Sequence, residues 1–101
     1  MTTDTAGTVR VVLPGMLRDL TDGVGDVAMP VDEGGTDLAK VLDRALERWP
    51  RVQARVRDER GEIRRHVNVF VDGEDARRGE GLATRVRPGS VVHVINAVSG
   101  G

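Results

Sequence analysis

Between Leu38 and Trp49 the apolar residues keep to one spacing. Leu38, Val41, Leu42, Ala45, Leu46 and Trp49 stand at i, i+3, i+4, i+7, i+8 and i+11, a single stripe down a helix of period 3.6. Thr36 is placed to cap the N-terminus, and Asp37 suits the positive end of the helix dipole. Pro50 disfavours helical geometry at Trp49 and closes the element. The spacing predicts a helix about 20 Å long at 1.5 Å per residue. Burying its five large apolar side chains contributes roughly 1.5–3 kcal/mol each before chain entropy is set against it. Trp49 is read as core rather than as a binding site. No second helix of this length is expected, so a sheet in this chain can have only one face covered. Its other face must be polar or bind something.

The strands come from short β-branched runs. Thr8–Leu13 is one, ended by Pro14-Gly15. Met16, Leu17 and Leu20 then make a short irregular turn with helical spacing, and Asp22-Gly23 is a second turn signal. Val24–Met29 alternates with a one-residue slip, and Pro30 fits the edge or end of that strand. Beyond the helix, Arg51–Arg65 is basic with scattered acids, Asp58, Glu59 and Glu62. It reads as a solvated connection in which Val52 and Val56 suggest one more helical turn; a docking surface for an acidic partner is the alternative. His66–Val71 is a strand, and Asp72-Gly73 after it is the strongest hairpin signal in the chain. Glu74–Arg77 is the expected return strand, and Arg87-Pro88-Gly89-Ser90 a β-turn. Val91–Ile95 reads as a buried central strand. Strands, one long helix, then strands again make an α+β domain, a mixed sheet packed on one main helix.

Length and composition bound the function. The 101 residues make one domain, expected to run over 8–95 with a disordered tail at 1–7 and a flexible tail at 96–101. Phe70 and Trp49 are the only aromatic residues, so the core is aliphatic. There is no cysteine, hence no disulfide, thiolate metal site or cysteine nucleophile. A formal net charge of −1 does not suit a nucleic-acid footprint. No apolar run approaches the ~20 residues of a membrane span, and Met1–Gly7 has no signal-peptide pattern; a cytoplasmic protein is expected. Gly79-Glu80-Gly81 lacks the third glycine of a dinucleotide loop. His66 and His93 have no second histidine at ligand spacing, and Asp72, Glu74 and Asp75 are explained by turn preference. No nucleophile and base can be paired from the spacing. The chain reads as a substrate or carrier rather than an enzyme.

Asn96-Ala97-Val98-Ser99-Gly100-Gly101 has its own chemistry. Extended, these residues reach roughly 15–20 Å, enough to thread a narrow channel in another protein. Glycine lets a backbone be approached closely on both sides. The Gly101 α-carboxylate is ionised at neutral pH and a poor electrophile, so chemistry on it needs prior activation. The plain alternative is a flexible tail without a role.

Several stretches together carry a family resemblance. Val11-Val12-Leu13 running on to Leu17-Arg18-Asp19-Leu20, the helix Asp37–Trp49-Pro50, Val67-Asn68-Val69-Phe70-Val71-Asp72-Gly73-Glu74-Asp75, Gly81-Leu82-Ala83-Thr84 and the Val-Ser-Gly-Gly end resemble the ubiquitin-like sulfur-carrier proteins. That group includes the small subunit of molybdopterin synthase and the carriers of thiamine and cysteine biosynthesis. The length of Arg51–Arg65 looks most like the cysteine-pathway type. The resemblance implies a β-grasp fold. It implies that a partner adenylating enzyme of the ubiquitin-activating type uses Mg-ATP to turn the Gly101 carboxylate into an acyl-adenylate, then a thiocarboxylate. A sulfur-accepting biosynthetic enzyme would be the second partner, for cysteine, molybdenum cofactor or a sulfur-containing metabolite. Gly100, Ser99, Val98 and Ala97 would contact the activating partner. The chain itself would bind no cofactor, metal, nucleic acid or membrane, though it could be the small subunit of a sulfurtransferase complex. A ubiquitin-like modifier joined to lysines, and a β-grasp binding module, are the competing readings.

Overall fold

Valines that alternate along each strand set the sheet. In a computed structural model, which describes residues 7–96, β1 (Gly7–Val12) turns Val9 and Val11 inward, fully buried, and leaves Thr8 and Arg10 exposed. The same alternation recurs in β4 (Val67–Val71) and β7 (Val91–Asn96), where Val67, Val69, Val71, Val92 and Val94 are buried. With β2 (Asp26–Val31) and β5 (Glu74–Asp75) these form one five-stranded sheet in the order β2-β1-β7-β4-β5. β1 and β7 run parallel, and the other pairs are antiparallel. Parallel neighbours need a long crossover, and here it carries the helices. The result is a β-grasp fold, a mixed sheet with its helical layer across one face. Gly7 and Asn96, expected in the tails, are the end residues of β1 and β7.

The helix differs from the expectation at both ends. α2 spans Leu38–Ala45, about 12 Å rather than 20. Its cap is Asp37, whose Oδ1 accepts from the Lys40 N–H at 2.9 Å. Thr36 is drawn instead into β3 (Thr36–Asp37), which pairs with β6 (Arg85–Val86). Beyond Ala45 the stripe continues as turns. Leu46 is still buried, and Trp49 is half-buried against the core. Pro50, read as a stop, is also a start: it is the first residue of α3 (Pro50–Val56), the position where a missing N–H costs nothing. Val52 and Val56 are fully buried, so the first half of Arg51–Arg65 is core structure rather than a solvated connection.

Other boundaries shift for identifiable reasons. β2 starts later than Val24 because the Val24 N–H bonds back to Thr21 O at 3.2 Å, closing a turn. Register with β1 then buries Met29 and Val31, and Pro30 lies inside an edge strand, where it is tolerated. Asp72 and Gly73 have φ of 51° and 88°, the signature of the two-residue hairpin turn expected there. The return strand stops at Asp75, whose carboxylate accepts from Arg77 N–H at 2.9 Å and winds Ala76–Arg78 into a 3₁₀ turn. The Arg87–Ser90 turn closes through Ser90 N–H to Arg87 O at 3.0 Å. β7 is central but buried on one face only: His93 and Ile95 are exposed.

Candidate functional site: the root of the C-terminal segment

Ala97, Val98, Ser99, Gly100 and Gly101, the residues to which sequence reading assigns the chemistry, lie outside the described residues. What is described is their base. Asn96 ends β7, the middle strand of the sheet. On one side β7 pairs with β1 through Arg10↔Val91, Val11↔Val92 and Val12↔His93. On the other it pairs with β4 from Val71↔Val92 down to Val67↔Asn96. Asn96 is thus anchored by the ladder with the longest register among the described residues after β1–β2. The Val67 carbonyl accepts from Arg77 Nη2 at 3.0 Å, and the same nitrogen donates to Arg64 O at 3.0 Å.

The Asn96 side chain is tied to α1 (Gly15–Arg18). Its Nδ2 lies 2.8 Å from the Met16 Sδ, a weak acceptor. Its Oδ1 is buried without a hydrogen-bond partner among the described residues. Met16 itself is 60% exposed and Ile95 46% exposed. Across the outer sheet face Phe70 stands opposite His93, and Asn68 opposite Ile95. The outer face of these two strands therefore mixes apolar Phe70 and Ile95 with polar His93 and Asn68. Sequence reading missed these residues by treating Val91–Ile95 as buried throughout. Strict alternation from Val92 and Val94 would have placed His93 and Ile95 outward. His66 is exposed in the turn just ahead of β4 rather than in the strand expected from His66, and His93 stands on β7.

Charge on this face is held by Arg10 and Asp26. Arg10 Nε donates to both Asp26 oxygens at 3.2 and 3.1 Å, and the two side chains form an ion pair. The hydrogen bond from Arg10 holds the Asp26 carboxyl below the usual carboxylate range, and in turn raises the Arg10 guanidinium.

Compared with known families, residues 11–101 match the ThiS family. The chain belongs to the ThiS family. Its relatives include the sulfur carrier protein CysO of Mycobacterium tuberculosis, 33% identical over 95 residues that cover 92% of this chain and 98% of that protein. Small archaeal modifier protein 1 of Haloferax volcanii is 31% identical over 87 residues, 85% of this chain and 95% of that protein. Among solved structures, one chain of the Amycolatopsis orientalis BexX/CysO complex superposes with a TM-score of 0.76 at 31% identity, covering 92% of this chain and 99% of its own length. This ThiS-family chain is a ubiquitin-like sulfur carrier by descent, and its β-grasp fold is theirs.

Proposed function

We propose that the Gly101 α-carboxylate is the site at which sulfur is carried. A partner adenylating enzyme uses Mg-ATP to join the carboxylate to AMP, releasing pyrophosphate. Sulfide then attacks the acyl carbon and AMP leaves, so the C–O bond to AMP breaks and a C–S bond forms; a persulfide attacking the same carbon gives an acyl disulfide, whose S–S bond a thiol then cleaves, releasing the thiocarboxylate and a disulfide. The thiocarboxylate is a nucleophile that a chain without cysteine cannot otherwise offer. Gly100 and Gly101 pass through the partner's channel, with Ala97, Val98 and Ser99 at its mouth. Extended backbone pairing at an edge strand is a common way to seat such a segment. The observation that carries the reading is the family match, which extends through the diglycine at residue 101. The pairing of Asn96 with Val67, at the end of the sheet's middle strand, supports it.

The test is intact mass after incubation with Mg-ATP, sulfide and a sulfur-carrier adenylating enzyme. A gain equal to exchanging one oxygen for one sulfur, located in the C-terminal peptide, is expected. Deleting Gly101 abolishes the gain and leaves the thermal melt unchanged. Full loading of the deletion variant overturns the reading. A second reading, conjugation to lysines of other proteins, is favoured by the likeness to the archaeal modifier. Its mark is a ladder of isopeptide-linked species in extracts under denaturing, reducing conditions; no ladder counts against it.

A further inference from the structure

Three segments distant in sequence meet beside the base of the C-terminal segment, and each brings arginines. α3 supplies Arg51 and Arg55, both exposed. The turn leading into β4 supplies Arg64 and Arg65, and the 3₁₀ turn after β5 supplies Arg77 and Arg78. Hydrogen bonds tie them together: Arg64 Nε donates to Ala54 O at 2.7 Å, and Arg77 Nη2 donates to Arg64 O and Val67 O. Val67 is the partner of Asn96. The ion pairs formed among the described residues are Arg10–Asp26 and Arg57–Asp43, so none of these six guanidinium groups is in one. Within Pro50–Val56, Arg64–Val67 and Ala76–Gly79 there is no acidic residue; Asp58, Glu59, Glu62, Asp75 and Glu80 bound the patch. The patch gathers six of the fifteen basic residues in a chain whose net charge is −1, so the rest of the molecule is acidic.

We infer that this arginine patch is a docking surface for a carboxylate-rich face of a protein partner, bound beside the mouth of the channel that receives residues 97–101. The inference rests on the proposed carrier reading, since that reading puts a protein wall next to Asn96. Arginine forks match carboxylates in a bidentate way and are weakly hydrated. Clustered, they steer an acidic surface into register and raise the association rate. The bounding acids and the acidic remainder of the chain disfavour a nucleic-acid polyanion, which would track across them.

The test measures kcat and KM for the full chain with the adenylating enzyme of the same organism, at ionic strengths of about 0.05 and 0.3 M, which span strong and weak screening. Arg65→Glu/Arg78→Glu reverses two exposed side chains that donate no hydrogen bond among the described residues. Arg44→Glu/Arg48→Glu makes the same charge change on and just beyond α2. The expected result is a KM raised about tenfold or more at low salt for the patch variant, with kcat unchanged. Wild-type KM should rise with salt, and the α2 variant should match wild type. Equal KM for the patch variant and wild type, or an equal rise in both variants, overturns the docking surface while leaving the carrier reading intact. If wild type releases no pyrophosphate, the carrier reading fails, and fluorescence anisotropy of the labelled full chain against the same enzyme still decides docking. Salt-sensitive binding that the patch variant loses supports it; no binding, or undiminished binding, overturns it. Binding to a single-stranded oligonucleotide, lost in the patch variant and absent with the enzyme, overturns the protein assignment.

Discussion

Asp72 shows how much one residue in a turn can hold. Its φ of 51° is in the left-handed region, which Asp and Asn tolerate better than most residues. From there its Oδ1 accepts the Val91 N–H and its Oδ2 the Ser90 hydroxyl, both at 2.9 Å. The Asp72 N–H returns a bond to Val91 O at 2.9 Å. One carboxylate thus joins the β4–β5 turn to the first residue of β7. Asp72→Ala removes the acceptor for the largely buried Ser90 and keeps a backbone angle that alanine disfavours. A loss of about 1–2 kcal/mol is expected, read as a lower urea midpoint at unchanged slope. Asp72→Asn keeps an acceptor and the turn preference, and should lose less. The dipeptide Asp72-Gly73 announced the turn by itself. The span to Ser90 and Val91 was invisible, because those partners stand 18 and 19 residues away.

At the scale of elements, α3 is the instructive case. Its seven residues show two buried valines four apart, too short a stripe to separate from a solvated turn by pattern alone. Tertiary packing decides: Val52 and Val56 sit at 0% exposure beside the core of α2 and the sheet. Val52→Ala deletes two methyl groups from a filled site and should cost about 1.5–3 kcal/mol, measured by denaturant unfolding. A solvated connection would show almost no change. The β1–β2 pair carries a pH signature. Asp26, held below its ordinary range by Arg10, binds a proton less readily folded than unfolded. Its contribution is therefore present above the unfolded carboxylate pKa and is lost as pH falls through the lower, folded one. Between pH of about 6 and about 3, wild type should lose more stability than Asp26→Asn, by the difference in urea midpoints. Because both side chains are exposed, added salt should shrink the difference.

For the whole molecule, the parallel pairing of β1 with β7 joins the first strand to the last. It sets β7 in the middle of the sheet, where Asn96, beyond the last β1 pair at His93, is held by Val67 of β4. An anchored base lowers the ordering cost of entering a channel. The loss of loading on deleting Gly101 and the KM split of Arg65→Glu/Arg78→Glu belong at this scale. The first removes the reacting group, and the second removes a surface assembled from three segments. The melt should move in neither, since both changes lie outside the packed core.

What the sequence determined was whatever depends on neighbours a few residues apart. Leu38, Val41, Leu42 and Ala45 mark the buried side of α2 through the helical period, and Val67, Val69 and Val71 mark the buried side of β4 through the strand period. Asp72-Gly73 and Pro88-Gly89 mark turns through backbone sterics. The diglycine at residues 100 and 101 marks the candidate reacting end through its bare backbone. Tertiary structure decided what depends on partners far along the chain. Thr36 became strand because β6 offered it a ladder, which left the cap to Asp37. Val52 and Val56 became core because α2 and the sheet left an apolar gap to fill. Arg51, Arg65 and Arg78 became one surface only when Arg64 and Arg77 laced three segments together. Local preferences act through sterics and hydrogen bonds within one or two turns of chain, whereas register and juxtaposition follow from burying the most apolar area that the whole chain can close over.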